Sequence, residues 1–417
     1  MGRTGVCLRT LGGDRPGELR VGRFLRNPRV SVSEMESRAR SRLLPRVAGR
    51  HVLAIQDTTS LRDDGERKGV CLHPTIAVDE ADGALLGLLS ADILVRDGKP
   101  KEHCNKRELA AKESRRWVDA AAQAADLLAA GASRVTMLAD RESDIYEVFA
   151  CRPEGIDVLV RVHHNRGLTD GGMLHDAGAP LPGSPRLRVD VPTAPNRPAG
   201  VAYLSVRVGQ IRIKRPKRNH AAEARALPES VELTYVEVYE DQPSPGEEPL
   251  RWRLLTTHTA TSLDDVRWIV GLYRRRWNIE QVFRVMKTQG FDIEAAPFED
   301  ETRPLANLAG ATLIAAIHIQ QMLHDRDGAA GRPIEDVFDA DDRPLIEAIG
   351  KTLQGRTARQ RNPHPPGLLA HAAWICARLG GWTGYYSKPG PIVLVRGYAR
   401  LMVMIDGVKR SGLVRIT

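Results

Sequence analysis

Apolar positions along the chain fall into runs, alternations and helical stripes. In HVLAIQDTTSL, residues 51–55 form a short apolar run that ends at Asp57. Such a run predicts a strand covered on both faces. Two more strands are predicted, in GVCLHPTIAVDE (residues 69–80) and ALLGLLSADILV (residues 84–95). The Asp82-Gly83 pair between them is a hairpin signal. An Ala-rich helix is predicted from about Arg107 to Ala130, stopped by Gly131. RVTMLAD (residues 134–140) is the next strand and again ends in an aspartate. SDIYEVFA reads as a helix capped by Ser143, and IDVLVRVHHN (residues 156–165) as a strand.

The flanks differ. Residues 1–21 are rich in Gly and Arg and lack a clear period. Residues 22–49 predict a turn at Asn27-Pro28 and a short helix opened by Ser31 or Ser33. Residues 166 to about 255 are rich in Pro, Gly and Arg and alternate apolar with polar, as in RLRVDVP and VAYLSVRVGQIRIK. They predict a β-subdomain inserted into the core. A helix opens near Ser262-Leu263 and is predicted to reach about Gln289. From Leu305 onward the chain predicts helices, with GKTLQGRTARQRNPHPPG as an exposed linker. Three strands, a helix and a fourth strand, with aspartates after the first and fourth, is the order of a ribonuclease H-like α/β core with a mixed sheet.

Charge sharpens this picture. The 417 residues carry a formal net charge of +9, which suits a polyanionic partner. The basic residues concentrate in IRIKRPKRN, with Lys214, Arg215, Lys217 and Arg218. That run reads as a phosphate-neutralising hairpin, against the plainer reading of a solvated tip. The five cysteines are scattered without a CxxC pair, so neither a disulfide framework nor a zinc ribbon is expected. His103-Cys104 is a polar loop sooner than a metal site. No apolar run reaches the roughly 18–20 residues that span a bilayer, and the start has no secretory h-region. A cytoplasmic, nucleoid-associated protein is expected.

The chemistry is concentrated in GLYRRRWNIEQVFRVMKTQG. At 100° per residue, Tyr273, Arg276, Glu280 and Lys287 fall within a sector of about 60°. Leu272, Ile279, Val282, Phe283 and Met286 cluster on the adjacent face, where a buried stripe would lie. A salt-bridged surface helix would also carry Arg/Glu pairs at this spacing. The topology would, however, bring Asp57, Asp140 and Glu280 together. Three hard carboxylates can hold two Mg²⁺ ions, the arrangement that phosphoryl transfer to DNA requires. Asp57, on the central strand, is the acid expected to bridge both ions.

IQDTTSL, LADRESDIYE and the Tyr-Arg-Glu-Lys spacing together resemble the insertion-sequence-4 family of bacterial DDE transposases. Ser143 stands where that family commonly has Ala. KGVCLH, Lys112-Glu113-Ser114 before Trp117, LVRVHHNR and the closing ARLGGWTGYYSKPGPIVLVRGYARL extend the resemblance from about Gly22 to about Leu401. The resemblance implies a DDE transposase, a Mg²⁺-dependent endonuclease and polynucleotidyl transferase with Mn²⁺ as a substitute. Its catalytic and metal-binding acids would be Asp57, Asp140 and Glu280. Tyr273, Arg276 and Lys287 would hold phosphates beside the scissile bond, and Trp252 would stack on a base flipped out of a DNA hairpin. Arg161 and His163 fall where the family has basic DNA contacts. Partners would be double-stranded DNA, as terminal inverted repeats and target, and a second copy of the chain.

The implied division is a remnant of an end-binding domain (1–49), the core (50–165 and 256–300), the inserted β-subdomain (166–255) and a helical dimerisation region (301–417). The family usually has a longer helical region before the first acid. An alternative is therefore carried: a non-catalysing protein that dimerises with full-length transposase and inhibits it. A structure-selective ribonuclease H-like nuclease would also fit three acids, but leaves Tyr273, Arg276, Lys287 and Trp252 unexplained.

Overall fold

The computed structural model describes residues 7–65, 68–98, 112–191, 197–217, 226–243, 246–298 and 301–411. Three helices open the chain: α1 (Leu8–Gly12), α2 (Arg15–Arg26) and α3 (Val32–Leu43). Helix α2 lies where the sequence shows no period. Asp14 caps it and a proline occupies its first turn, so it forms although its composition is poor for a helix. Ser31, not Ser33, caps α3, its hydroxyl accepting from the Glu34 amide at 3.2 Å.

Four strands follow: β1 (His51–Gln56), β2 (Thr59–Gly65), β3 (Lys68–Asp79) and β4 (Leu85–Asp97). Strand β2 is an addition to the predicted order. Its sequence, TSLRDDG, is too polar to read as a strand and is held by antiparallel pairing with β3. Then come α4 (Arg115–Ala129), β5 (Arg134–Ala139), α5 (Tyr146–Ala150) and β6 (Ile156–Arg161). Among the described residues α4 starts later than the predicted Arg107, which lies outside them together with His103 and Cys104. Ser143 does not cap α5. Its hydroxyl turns back to the Asp140 carbonyl at 2.7 Å, inside a short 3-10 turn that Asp140 caps.

Strand β1 lies between β3, antiparallel, and β5, parallel, and β6 runs parallel beyond β5. The sheet continues through β7 (Ala179–Pro180), β8 (Arg186–Val191), β9 (Gly200–Lys214), β10 (Ser230–Tyr239) and β11 (Arg251–Thr256). β11 pairs with β6, so the alternating segment extends the core sheet edge to edge. The chain then forms α6 (Leu263–Arg275), α7 (Trp277–Met286), α8 (Thr302–His324), α9 (Arg343–Thr352), α10 (Leu369–Leu379) and α11 (Pro391–Ser411).

Alternation along β1 explains the layering. Leu53 and Ile55 face one apolar layer, which includes residues of α6, α7, α8 and α10. Val52 and Ala54 face the other, with Trp117 of α4 and Phe149 of α5. Covering on both faces is why β1 reads as a continuous apolar run. In the helical region, Gly397 of α11 lies against α10: a Cβ there would sit 1.6 Å from the Cys376 carbonyl oxygen. No helix among the described residues is long and apolar enough to cross a membrane.

Candidate active site

Two residues past the last aligned pair of β1 and β5, Ile55 opposite Leu138, stand Asp57 and Asp140. Parallel neighbours in register place both aspartates at the same edge of the sheet. Asp57 Oδ1 accepts from the Thr58 amide at 2.8 Å. Asp140 Oδ1 accepts from the Glu142 amide at 3.1 Å.

The third acid arrives on α7. Helix α6 starts with a capping box between Ser262 and Asp265, a feature that contributes about 1 kcal/mol. The apolar stripe predicted for this segment is buried as expected, with Leu272, Ile279, Val282, Phe283 and Met286 all in the core. The single long helix is not observed. The helix breaks at Arg276, which ends α6 and opens α7, and it ends at Met286.

Arg276 itself keeps right-handed helical dihedrals, so Arg276 and Glu280 retain i,i+4 spacing across the interruption. Arg276 Nη1 lies 2.9 Å from Asp57 Oδ2, and its Nη2 pairs with the Glu280 carboxylate. Asp57, Arg276 and Glu280 therefore form one cluster, and Asp140 is close enough to act on Asp57 through its charge. Burial pushes the Asp57 carboxyl up to about 6, against the opposing pull of the Arg276 guanidinium and the Thr58 amide; Asp140 and Glu280 push it the same way as burial.

Tyr273 is not presented to solvent beside them. It is 7% exposed, with the Arg276 guanidinium 6.0 Å from its ring centroid. Its hydroxyl is buried without a hydrogen bond of ordinary geometry, although Arg161 at the end of β6 lies near enough to favour its ionised form. Burial dominates and raises the phenol above its usual range. Lys287 leaves the predicted sector because the helix stops before it. Its ammonium sits 2.6 Å from Glu294.

The other predicted contacts scatter. Trp252, on β11 opposite Val238, is only partly exposed and packs on the apolar layer. His163 is exposed; its amide and that of His164 donate to buried Asp144, at 2.7 and 2.9 Å. Asp144 also pairs with Arg166, so the second aspartate of DRESD anchors the loop after β6. Lys214 ends β9, Lys217 is exposed, Arg215 reaches the Leu227 carbonyl, and Arg218 lies outside the described residues.

Three residues not singled out from sequence belong to this region. Trp277 follows Arg276 in the chain, opens α7 and is 53% exposed. Arg116 and His73 are buried next to Thr58. An exposed tryptophan inside RRRWNIE was the available signal for the first. For Arg116 there was little more than a cation at the start of an otherwise Ala-rich helix.

Among the described residues no group of three or more His, Cys, Asp or Glu side chains stands ready as a metal cage. Arg276, bridging Asp57 and Glu280, supplies the positive charge there instead. The donor set still suits a hard divalent cation, since every candidate ligand is a carboxylate oxygen.

Residues 110–317 match the family model of the transposase DDE domain. The matched segment contains Asp140, Arg276 and Glu280 and begins after Asp57. This match supports a DDE transposase, and with it a polynucleotidyl transferase.

Proposed function

We propose that this chain, with its transposase DDE domain, is an insertion-sequence-4 transposase that excises an insertion sequence and pastes it into target DNA. The observation that supports this best is the convergence of Asp57, Asp140, Arg276 and Glu280 at one edge of a mixed sheet. In the reaction, water attacks a phosphodiester at the element's end and frees a 3′-hydroxyl. That hydroxyl attacks the opposite strand and closes a hairpin, which a second water opens. The same hydroxyl then attacks target DNA. Each transfer exchanges one P–O bond for another and needs no external energy source.

Asp57, Asp140 and Glu280 would hold two Mg²⁺ ions, or Mn²⁺, which when bound activate the attacking oxygen and stabilise the leaving one. The remaining work falls to side chains. Arg276 offers a planar fork that fits phosphate as well as carboxylate. Moving its donors onto a DNA phosphate would release Asp57 and Glu280 for metal. Tyr273 supports the guanidinium from beneath. Trp277 offers an exposed platform for an unstacked base, a contact worth about 1–3 kcal/mol. Trp252, the residue expected for that role, would first have to leave its packed position. Lys214, Lys217 and Lys287 would neutralise phosphates farther along the duplex. A second copy would dock on α11, which exposes Ile392, Val403 and Met404.

The test is cleavage of a supercoiled plasmid that carries the flanking inverted repeats, in Mg²⁺, with the wild type and Glu280→Ala. Double-strand release by the wild type, lost in the variant and on chelation, is expected. No cleavage by either protein, with DNA binding retained, would overturn the catalytic reading in favour of the inhibitory one.

A further inference from the structure

Behind the acids lies a buried polar chain whose direction can be assigned bond by bond. Arg116, in the first turn of α4, donates Nε–H to Thr58 Oγ1 at 3.1 Å. An arginine has no acceptor, so the threonine oxygen must accept. The Thr58 hydroxyl proton is then free to go to His73 Nδ1, 2.9 Å away. His73 Nε2 faces Gln56 Oε1 at 3.1 Å, and the Gln56 amide nitrogen donates to the Trp117 carbonyl at 3.4 Å. The Gln56 oxygen is therefore placed to accept from His73 Nε2–H, and the Asp57 backbone is a further hydrogen-bond partner of the ring. His73 is wholly buried, its ring is edge-on to Trp117 at 4.6 Å, and burial pulls its pKa down to about 3.

The other end of Arg116 reaches the second aspartate's turn. Its Nη2 lies 2.9 Å from Glu142 Oε2, and the Glu142 amide donates to Asp140. Nη1 donates to the Glu113 carbonyl at 2.8 Å. The guanidinium thus touches the residue after Asp57 and the residue two beyond Asp140. Its position is costly. The side chain is 7% exposed, and a cation in the first turn of a helix meets the positive end of the macrodipole. The rest of this face of α4 is apolar, with Trp117, Ala120, Ala121 and Ala124 buried, and locally the guanidinium lies 5.0 Å from the Trp117 ring centroid and 3.5 Å from the Glu113 carboxylate.

We propose that Arg116 is a positioning residue that ties the Asp57 strand end to the Asp140 turn and sets the spacing of the two carboxylates. The assignment rests on the functional reading above, because it concerns the same acids. It adds that the spacing is set by one guanidinium rather than by sheet register alone. Fixing a ligand through such an outer contact is commonly worth about 10–100-fold in metal affinity or activity.

The experiment compares the full-length wild type with Arg116→Gln, Arg116→Lys, Glu142→Gln and the Arg116→Gln/Glu142→Gln double variant. Mn²⁺ binding is titrated, plasmid cleavage is separated into kcat and KM, and thermal midpoints are recorded. Arg116→Gln is expected to weaken Mn²⁺ binding and lower kcat by about 10–100-fold with KM for DNA unchanged. Adding Glu142→Gln should change little further, because one tie is already cut. Arg116→Lys should recover only part of the loss, since a point charge cannot serve both partners. Wild-type Mn²⁺ affinity and kcat in Arg116→Gln, or losses that simply multiply with Glu142→Gln, would overturn the assignment. So would a loss that follows the thermal midpoint alone.

Nitrogen NMR of His73 separates this result from failure of the functional reading. If no cleavage occurs at all, a His73 Nδ1 resonance that moves in Arg116→Gln while Nε2 is unchanged still supports the tie. The same spectrum in both proteins overturns it.

Discussion

The two ends of the central strands hold similar numbers of charged groups and treat them in opposite ways. At the leading end of β1, β5 and β6, His51 Nε2 lies 2.8 Å from Thr136 Oγ1, which lies 3.0 Å from His258 Nε2. Arg134 reaches His258 Nδ1 and Asp157 Oδ2, both at 2.7 Å, and Thr257 donates to Asp157 at 2.7 Å. Trp268 closes this cluster, 4.8 Å from the His258 ring, and donates its indole N–H to Glu80. Every polar side chain named there has a partner. At the trailing end, Asp57 and Glu280 share one arginine, the Asp140 carboxylate accepts only the backbone amide of Glu142 among the described residues, and the Tyr273 hydroxyl has no ordinary hydrogen bond. One end spends its charges on holding the fold. The other keeps them undersatisfied, which is the state a ligand can exploit.

The largest expected difference is in cleavage. Asp57→Asn should slow DNA nicking by about a thousandfold or more, a barrier change of roughly 4 kcal/mol. Asp157→Asn should leave the rate within about twofold at a temperature where both proteins are folded. Equal losses in a nicking assay would erase the contrast.

The next effect is in pH-dependent stability without metal, and the two ends should act with opposite sign. Asp57 is raised from 3.8 to about 6, so its contribution is full at low pH and is lost as pH rises through about 6. Its scale is roughly 2–3 kcal/mol. His258 is lowered from 6.5 to about 4, mainly by burial, so its contribution is full above 6.5 and is lost as pH falls through about 4. Relative to the wild type, denaturant midpoints in chelator should therefore rise with pH between about 4 and 6.5 in Asp57→Asn, and fall in His258→Gln. Parallel curves for the two variants would refute the opposition.

A smaller effect is expected from Asp157→Ala. It strands Arg134, Thr257 and His258 and should cost about 1–3 kcal/mol in urea unfolding, discounted because Arg134 is half-exposed. The smallest is at Trp277. Trp277→Ala should shift the unfolding midpoint by less than about 0.5 kcal/mol, as an exposed side chain. It should nonetheless weaken single-strand or hairpin DNA binding about tenfold in a fluorescence titration. A stability loss as large as that of Asp157→Ala would make Trp277 a packing residue.

The core strands and the acid-bearing end were legible in the sequence, the leading-end cluster was not read there, and the other omissions have definite causes. Strands β1, β3, β4, β5 and β6 are readable because two buried faces demand apolar runs, and Asp82-Gly83 marks its hairpin. The acids at the strand ends follow from the same runs. Strand β2 is hidden because cross-strand hydrogen bonds, rather than its side chains, keep it in place. Helix α2 is hidden because capping and contact with α8 outweigh its glycines. The sector that joined Tyr273 to Lys287 assumed an unbroken helix. Arg276 stays helical and keeps its i,i+4 pairing with Glu280, but the helix ends at Met286 and leaves Lys287 to Glu294. The chain from Arg116 to His73 was out of reach because its members come from three separate elements, with no local period linking them.

The order of strands and helices also bears on what the chain can do during its own synthesis. Asp57 emerges from the ribosome early, in a strand whose parallel neighbour β5 follows only after α4. Glu280 comes much later, behind the whole run of β7 to β11, and α7 needs α8 to bury its apolar face. Domains fold largely in order of emergence, at about 5–20 residues per second. A nascent chain therefore passes through a stage with two of the three acids and without the third. Chains stalled at increasing lengths should hold DNA well before they can cut it. On the proposed function, the long detour between the second and third acids would act as a delay, keeping a newborn chain from cutting DNA until α7 and α8 have emerged.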